Sequence, residues 1–240
     1  MIRLAATFLL GLSLPVFAAE GWQGKELVDA RYADPTLRYS HGVLGDAIEH
    51  GTLELQYGWA AQPIRIILPD TQVFEDTAPR MIDVDLDGRR EAIVVESHQS
   101  QGARLAIYDG AGLVAATPYI GTRFRWLAPT GAADLDGDGF IEIGYIDRPH
   151  LAKTLRIWRF RDGALEPVAS LPGLTNHRIG EPDIGGGLRD CGDGPEMITA
   201  SANWARVIAS KLVDDKIVTR DLGAHQGRAS LNKALACEGL

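Results

Sequence analysis

The stretch "DVDLDGRRE", from Asp83 to Glu91, sets aspartates at alternate positions, a glycine directly after the third, and a glutamate at its end. Carboxylates crowded into one turn repel one another, so the stretch calls for a counter-charge. The same order returns in "DLDGDGFIE", from Asp134 to Glu142. In both copies carboxylates take relative positions 1, 3, 5 and 9, and glycine takes position 6. "AIVVES" follows the first copy and "IGYIDR" the second. Both are short apolar runs rich in β-branched and aromatic residues, which predicts strands. "RLAIYD" and "TLRIWRF" come next, then "GLVAAT" and "ALEPVAS". Each copy is a loop with three strand-like runs, and a further run, "FRWL", precedes the second.

A spacing of about 50 residues built from short strands points to a propeller or a related β repeat. Two worn copies flank the intact ones. Upstream, Asp46, Gly51 and Glu54 hold positions 1, 6 and 9, and "IRIILPD" supplies the next strand. Downstream, "LRDCGDGPEMITA" carries Asp190, Asp193 and Glu196 in a loop one residue short, ahead of "ARVIASKL" and "KIVTRDL". The expected fold is therefore all-β: one domain over residues 19–240, a small propeller of four blades, with five as the alternative. "ELVDARY" reads as the last strand of a repeat, and "LRYSH" and "GRASLNKALACEGL" as first strands. Pairing of the terminal strands within one blade would close the ring and remove its exposed edges.

Residues 1–18 have the layout of a secretory signal: Arg3, an apolar run from Leu4 to Phe17, and small residues for cleavage after Ala18. A periplasmic or secreted protein is expected. In an oxidising compartment the two cysteines, Cys191 and Cys237, are expected to form a disulfide. The net charge of −8, with no basic run, argues against nucleic acid and anionic lipid as partners. A monomer without membrane insertion is expected.

The pattern D-x-D-x-D-G-x-x-[DE] leading into an apolar strand resembles the FG-GAP/VCBS repeat. This family includes the calcium-binding blades of integrin α-subunit propellers and many exported bacterial proteins. The resemblance spans about residues 26–240 and is carried by the two intact loops. It implies about two structural calcium ions. Asp83, Asp85, Asp87 and Glu91 would hold one by their side chains, with Arg89 giving only its carbonyl. Asp134, Asp136, Asp138 and Glu142 would hold the other, with Phe140 in the main-chain role. Calcium suits such an all-oxygen set, and an unoccupied acidic turn is the plainer alternative. An EF-hand needs an acid at position 12, where Val94 and Tyr145 stand. No histidine or thiolate joins either loop, which disfavours zinc. The upstream copy has Ile48 and His50 at carboxylate positions, so no ion is expected there.

No G-x-S-x-G elbow, H-E-x-x-H or phosphate-cradling glycine loop occurs. Arginine recurs in the presumed first strands, at Arg38, Arg125, Arg178 and Arg228. First strands line a propeller's channel, so an anion-binding ring is one expectation, flanked by Tyr39, Trp126 and His177. The expected function is a non-catalytic module that binds a protein or glycan. The alternative is a polysaccharide hydrolase or lyase acting at the channel mouth. Clustered acids and histidines would favour the enzyme, and an exposed aromatic patch the binding module.

Overall fold

The structure, a computed structural model, describes residues 26–239, so the expected signal segment lies outside the described residues. Strand β1 (Leu27–Thr36) pairs antiparallel with β2 (Glu49–Tyr57), which pairs in turn with β3 (Ile64–Ile67). Next come β4 (Gln72–Phe74) and β5 (Arg80–Ile82), both paired with β6 (Glu91–His98), and then β7 (Gly102–Asp109) and β8 (Gly112–Ala116). Because β4 also touches β2, these eight strands form one sheet. A second sheet is the meander β9 (Leu127–Ala133), β10 (Ile141–Asp147), β11 (Thr154–Arg161) and β12 (Ala164–Pro172). In the third, β13 (Leu174–Thr175) and β14 (Gly187–Asp190) both pair with β15 (Pro195–Ser201). β16 (Arg206–Val213), β17 (Lys216–Ala224) and the helix α1 (Arg228–Leu235) follow.

The central strands are apolar at nearly every position because both of their faces are covered. Side chains alternate across a strand. Ile93 and Val95 of β6 face Ile143 and Tyr145 of β10, while Ala92 and Val94 face Leu53 and Leu55 of β2. On β10, Ile146 turns instead to Met197 and Leu212 of the third sheet. Ile198, Val207 and Ala209 cover that sheet's far side against Leu231 and Ala234 of α1. Antiparallel units thus stack face to face in chain order. The architecture is all-β and propeller-like.

Several expected elements lie elsewhere. "GRASLNKAL" is not a strand: it has no β-branched residue, and Leu231, Ala234 and Leu235 recur at helical spacing, so α1 forms and buries that face. Among the described residues the terminal strands do not pair with each other, since β1 and β17 belong to different sheets. Instead Gly180 donates its amide to the Val43 carbonyl at 2.9 Å, a contact between loops. Arg38 and Tyr39 of "LRYSH" lie in a turn, and only Leu127 of "FRWL" enters a strand. The upstream worn loop is also misplaced. Gly51 lies inside β2, where the missing side chain leaves room for the Arg38 guanidinium, 3.3 Å from where a Cβ would sit.

Candidate functional site

Both intact loops enter the second strand of their unit, and both are built by the same hydrogen bonds. Asp83 accepts from the amides of Asp87 (3.1 Å) and Gly88 (2.8 Å), and Asp134 accepts from Gly137 (2.7 Å), Asp138 (3.1 Å) and Gly139 (3.0 Å). The closing glutamates reach back to the loop. Glu91 accepts from Val84 N at 3.0 Å, and Glu142 accepts from Leu135 N at 2.8 Å. Gly88 and Gly139 have φ of 88° and 87°, a conformation that glycine adopts without strain. The loops lie side by side, since Asp85 and Leu86 line one cavity together with Gly139 and Phe140.

Within each loop three carboxylates converge. Oxygens of Asp83, Asp85 and Glu91 lie within 4.8 Å of one another, as do those of Asp134, Asp136 and Glu142. Asp87 and Asp138 stand outside these triplets. Asp87 is engaged by the Arg89 guanidinium, and the Phe140 ring lies under that of Arg161 at 4.3 Å. Burial, reinforced by Asp85, Asp83 and Asp87, pushes the Glu91 carboxyl up to about 7. Burial likewise raises Asp85, with Asp87 and Asp83 adding to it. The first triplet thus gathers two aspartates, Asp83 half-buried and Asp85 exposed, around the buried Glu91, the chemistry a hard divalent cation relieves. Its residues fit calcium.

The second triplet differs. Arg159, on β11 opposite Glu142, contacts Glu142 at 2.5 Å, Asp136 at 2.6 Å and Asp138 at 3.3 Å. Burial raises Glu142 too, but here Arg159 opposes the rise. Its carboxylates already have a cation, and the fit to calcium is poor. The last, worn loop keeps its turn through Asp190, which accepts from Gly192 and Gly194. Glu196 there is held below its ordinary value, against burial, by Arg220 and Arg189.

Beside the first loop lies a cavity of about 380 Å³. Asp85, Glu91 and Asp109 form one side, and Tyr57 and Trp59 another. The Trp59 side chain is 62% exposed, and its ring lies 6.5 Å from that of Tyr57. The aromatic pair comes from the end of β2 and the turn after it, far in sequence from the loop, and sequence reading did not single it out.

The four arginines form no ring. Arg38 donates to the Gln72 carbonyl at 2.8 Å, and Arg228 binds Asp183 at 2.9 Å and Glu181 at 3.2 Å. Arg178 stacks on Trp204 at 4.0 Å, and Arg125 donates to the Phe124 carbonyl. None lines the apolar cavity between β5, β9 and β14, whose basic side chain is Arg80. The expectation fails because Arg38 lies in a turn, Arg125 and Arg178 in irregular connections and Arg228 in the helix, none of them in an inner strand. At the opposite strand ends a polar cluster appears instead. His41 Nδ1 lies 2.5 Å from the buried Glu75 carboxylate, which also accepts from Ser97, and His150 Nε2 lies 3.0 Å from His177 Nδ1. Burial, then His177 and His41, lowers His150 to about 4. Cys191 and Cys237 are joined in a disulfide.

Stacked antiparallel units with paired acidic loops at the entry to a second strand define a propeller-like repeat protein. Residues 83–145, which span both intact loops, match the family model of the FG-GAP-like repeat, so the chain carries that repeat. No curated protein matches the chain.

Proposed function

We propose that this chain is an exported, calcium-stabilised propeller of four blades that binds a glycan, without catalysis, in the cavity beside its first acidic loop. The observation that carries the reading is that cavity: exposed Trp59 and Tyr57 face the same space as Asp85, Glu91 and Asp109. An aromatic ring offers an apolar platform to a sugar face, and carboxylates accept from its hydroxyls. Calcium held by Asp83, Asp85 and Glu91 would neutralise that wall and stiffen the loop that forms it. The acidic charge of the chain supports the absence of a nucleic-acid partner. Among the described residues no helix is long and apolar enough to cross a membrane.

Screening the purified chain against a panel of glycans, with Trp59→Ala as the control, tests the reading. Binding by the native chain and its loss in the variant are expected. A native chain that binds no glycan but retains a protein partner would overturn it.

A polysaccharide hydrolase or lyase is the second reading, favoured by the His41–Glu75 pair beside His150 and His177. Against it, Glu75 is shared between His41 and Ser97, and His177 has both ring nitrogens bonded, the second to the Glu181 carbonyl at 2.9 Å. That is the wiring of a structural network.

A further inference from the structure

The second acidic loop has the acids of a cation site and, in addition, a cation supplied by its own chain. Arg159 extends from β11 with its side chain only 10% exposed. Its Nε meets Glu142 at 2.5 Å, one terminal nitrogen meets Asp136 at 2.6 Å, and the other lies 3.3 Å from both Asp138 and Asp215. Three of the four acids that the repeat would offer to calcium are therefore bonded to one guanidinium. The fourth, Asp134, accepts from three loop amides. A planar fork of N–H donors can satisfy several carboxylates at once, which a lysine cannot do in the same geometry.

In the first loop Arg89 engages Asp87, which stands outside the triplet, and no salt bridge joins an arginine to Asp83, Asp85 or Glu91 among the described residues. Tyr108 pairs with Ala92, so Asp109, the next residue, comes opposite Glu91 where Arg159 comes opposite Glu142. An acid thus replaces the base. The outer units follow the second loop, not the first. Arg65 stands opposite Glu54 and binds it, with Arg31 on the other side. Ser210 pairs with Met197, which brings Lys211 opposite Glu196, while Arg189 and Arg220 bind that glutamate. Of the glutamates at this place in the four units, Glu91 is the one whose register position across the hairpin holds an acid, and that acid, Asp109, accepts from the Ala111 and Gly112 amides.

The geometry points to a division of labour: Arg159 replaces the divalent ion in the second loop, and the chain takes a single calcium ion, in the first. This rests on the calcium reading of the first loop and departs from the repeat pattern only at the second. A calcium ion in the second loop would have to displace the guanidinium from at least Asp136 and Glu142. The guanidinium would keep only Asp138 and Asp215, the more exposed of its acids, and would stand beside a divalent cation.

Isothermal titration of the calcium-stripped full-length chain with calcium chloride tests the proposal. The native protein should bind one ion, with binding abolished by Asp85→Ala and unchanged by Asp136→Ala. Arg159→Gln should bind two ions, and adding Asp136→Ala to it should return the count to one. Its thermal midpoint should fall in chelator and recover more with calcium than the native midpoint does. Two ions in the native chain overturn the proposal while leaving the calcium reading of the first loop intact, whereas loss of a single native ion in Asp136→Ala places that ion in the second loop and overturns both. No ion in the native chain or in Arg159→Gln overturns both. The native and Asp136→Ala titrations decide the question even where Arg159→Gln does not fold.

Discussion

Arg159 stands directly opposite Glu142 in the β10–β11 hairpin, with 2.5 Å between its Nε and the carboxylate. Glu142 is fully buried, so removing the guanidinium strands its charge out of water. Loss of one partner of a buried pair costs about 3–5 kcal/mol. Here about 3 kcal/mol is expected for Arg159→Ala in calcium-free urea unfolding, because Asp138 and Asp215 are open to water and need no partner. Arg159→Lys should recover only part of this loss. The exposed pair Arg90–Glu26 is the control, and breaking it should cost about 0–1 kcal/mol.

The loop glycines give a cleaner test of conformation. Gly88 and Gly139 both have positive φ, and a Cβ added at either would meet nothing within 4 Å. Any cost of substitution is therefore backbone strain and not collision. Gly88→Ala and Gly139→Ala should each destabilise by about 1–2 kcal/mol, and the asparagine variants by less, because asparagine tolerates this region. Equal losses for alanine and asparagine in denaturant unfolding would contradict the assignment of strain.

The loops and the strands that follow them were legible because the spacing survived in two copies, one checking the other. Residues 91–98 and 141–147 are strands where the apolar runs stood. The first strands were not legible. β4 and β5 are three residues each, and β9 carries a proline and a glycine, so neither shows a periodic run. α1 was misread although Leu231, Ala234 and Leu235 carry a helical spacing. The role of Arg159 was readable in principle. Aligning "RLAIYD" with "LRIWRF" by their leucines and isoleucines sets Asp109 against Arg159. The approach of His41 to Glu75, or of Trp59 to the first loop, depends on sheet stacking and leaves no local pattern.

Glu49 offers a test by pH. It begins β2 almost wholly buried, and burial, then the charges of Glu75, Asp46 and Asp76, push its carboxyl from an ordinary 4.5 up to about 9. Between those values the folded chain holds a proton that the unfolded chain has released, so this group's contribution to stability declines as pH rises through that window. Glu49→Gln keeps the shape of the neutral acid. It should match the native stability near pH 5 and exceed it at pH 8, by a margin that widens as pH rises from 5 to 8. Unfolding curves across that range decide it, and a gain that does not vary with pH would exclude Glu49 as the source.

The disulfide joins the turn between β14 and β15 to the segment after α1, with a Cα–Cα distance of 5.7 Å and a sequence separation of 46. Arg189, beside Cys191, donates to the Ala234 carbonyl at 2.5 Å near the end of the helix. A helix of eight residues is too short to persist alone, so α1 depends on these ties and on the burial of Leu231 and Ala234. Chain entropy assigns such a bridge roughly 2–4 kcal/mol. Cys191→Ser and Cys237→Ser should each lower stability by about that amount, and the double variant should lose no more, since both changes cut one bond. Hydrogen exchange locates the effect. Amides of α1 should lose protection first, while those of β10 should change little, because β10 packs on one face of the third sheet and α1 on the other. Equal loss of protection in β10 and α1 would mean that the bridge secures the whole stack and not its end alone.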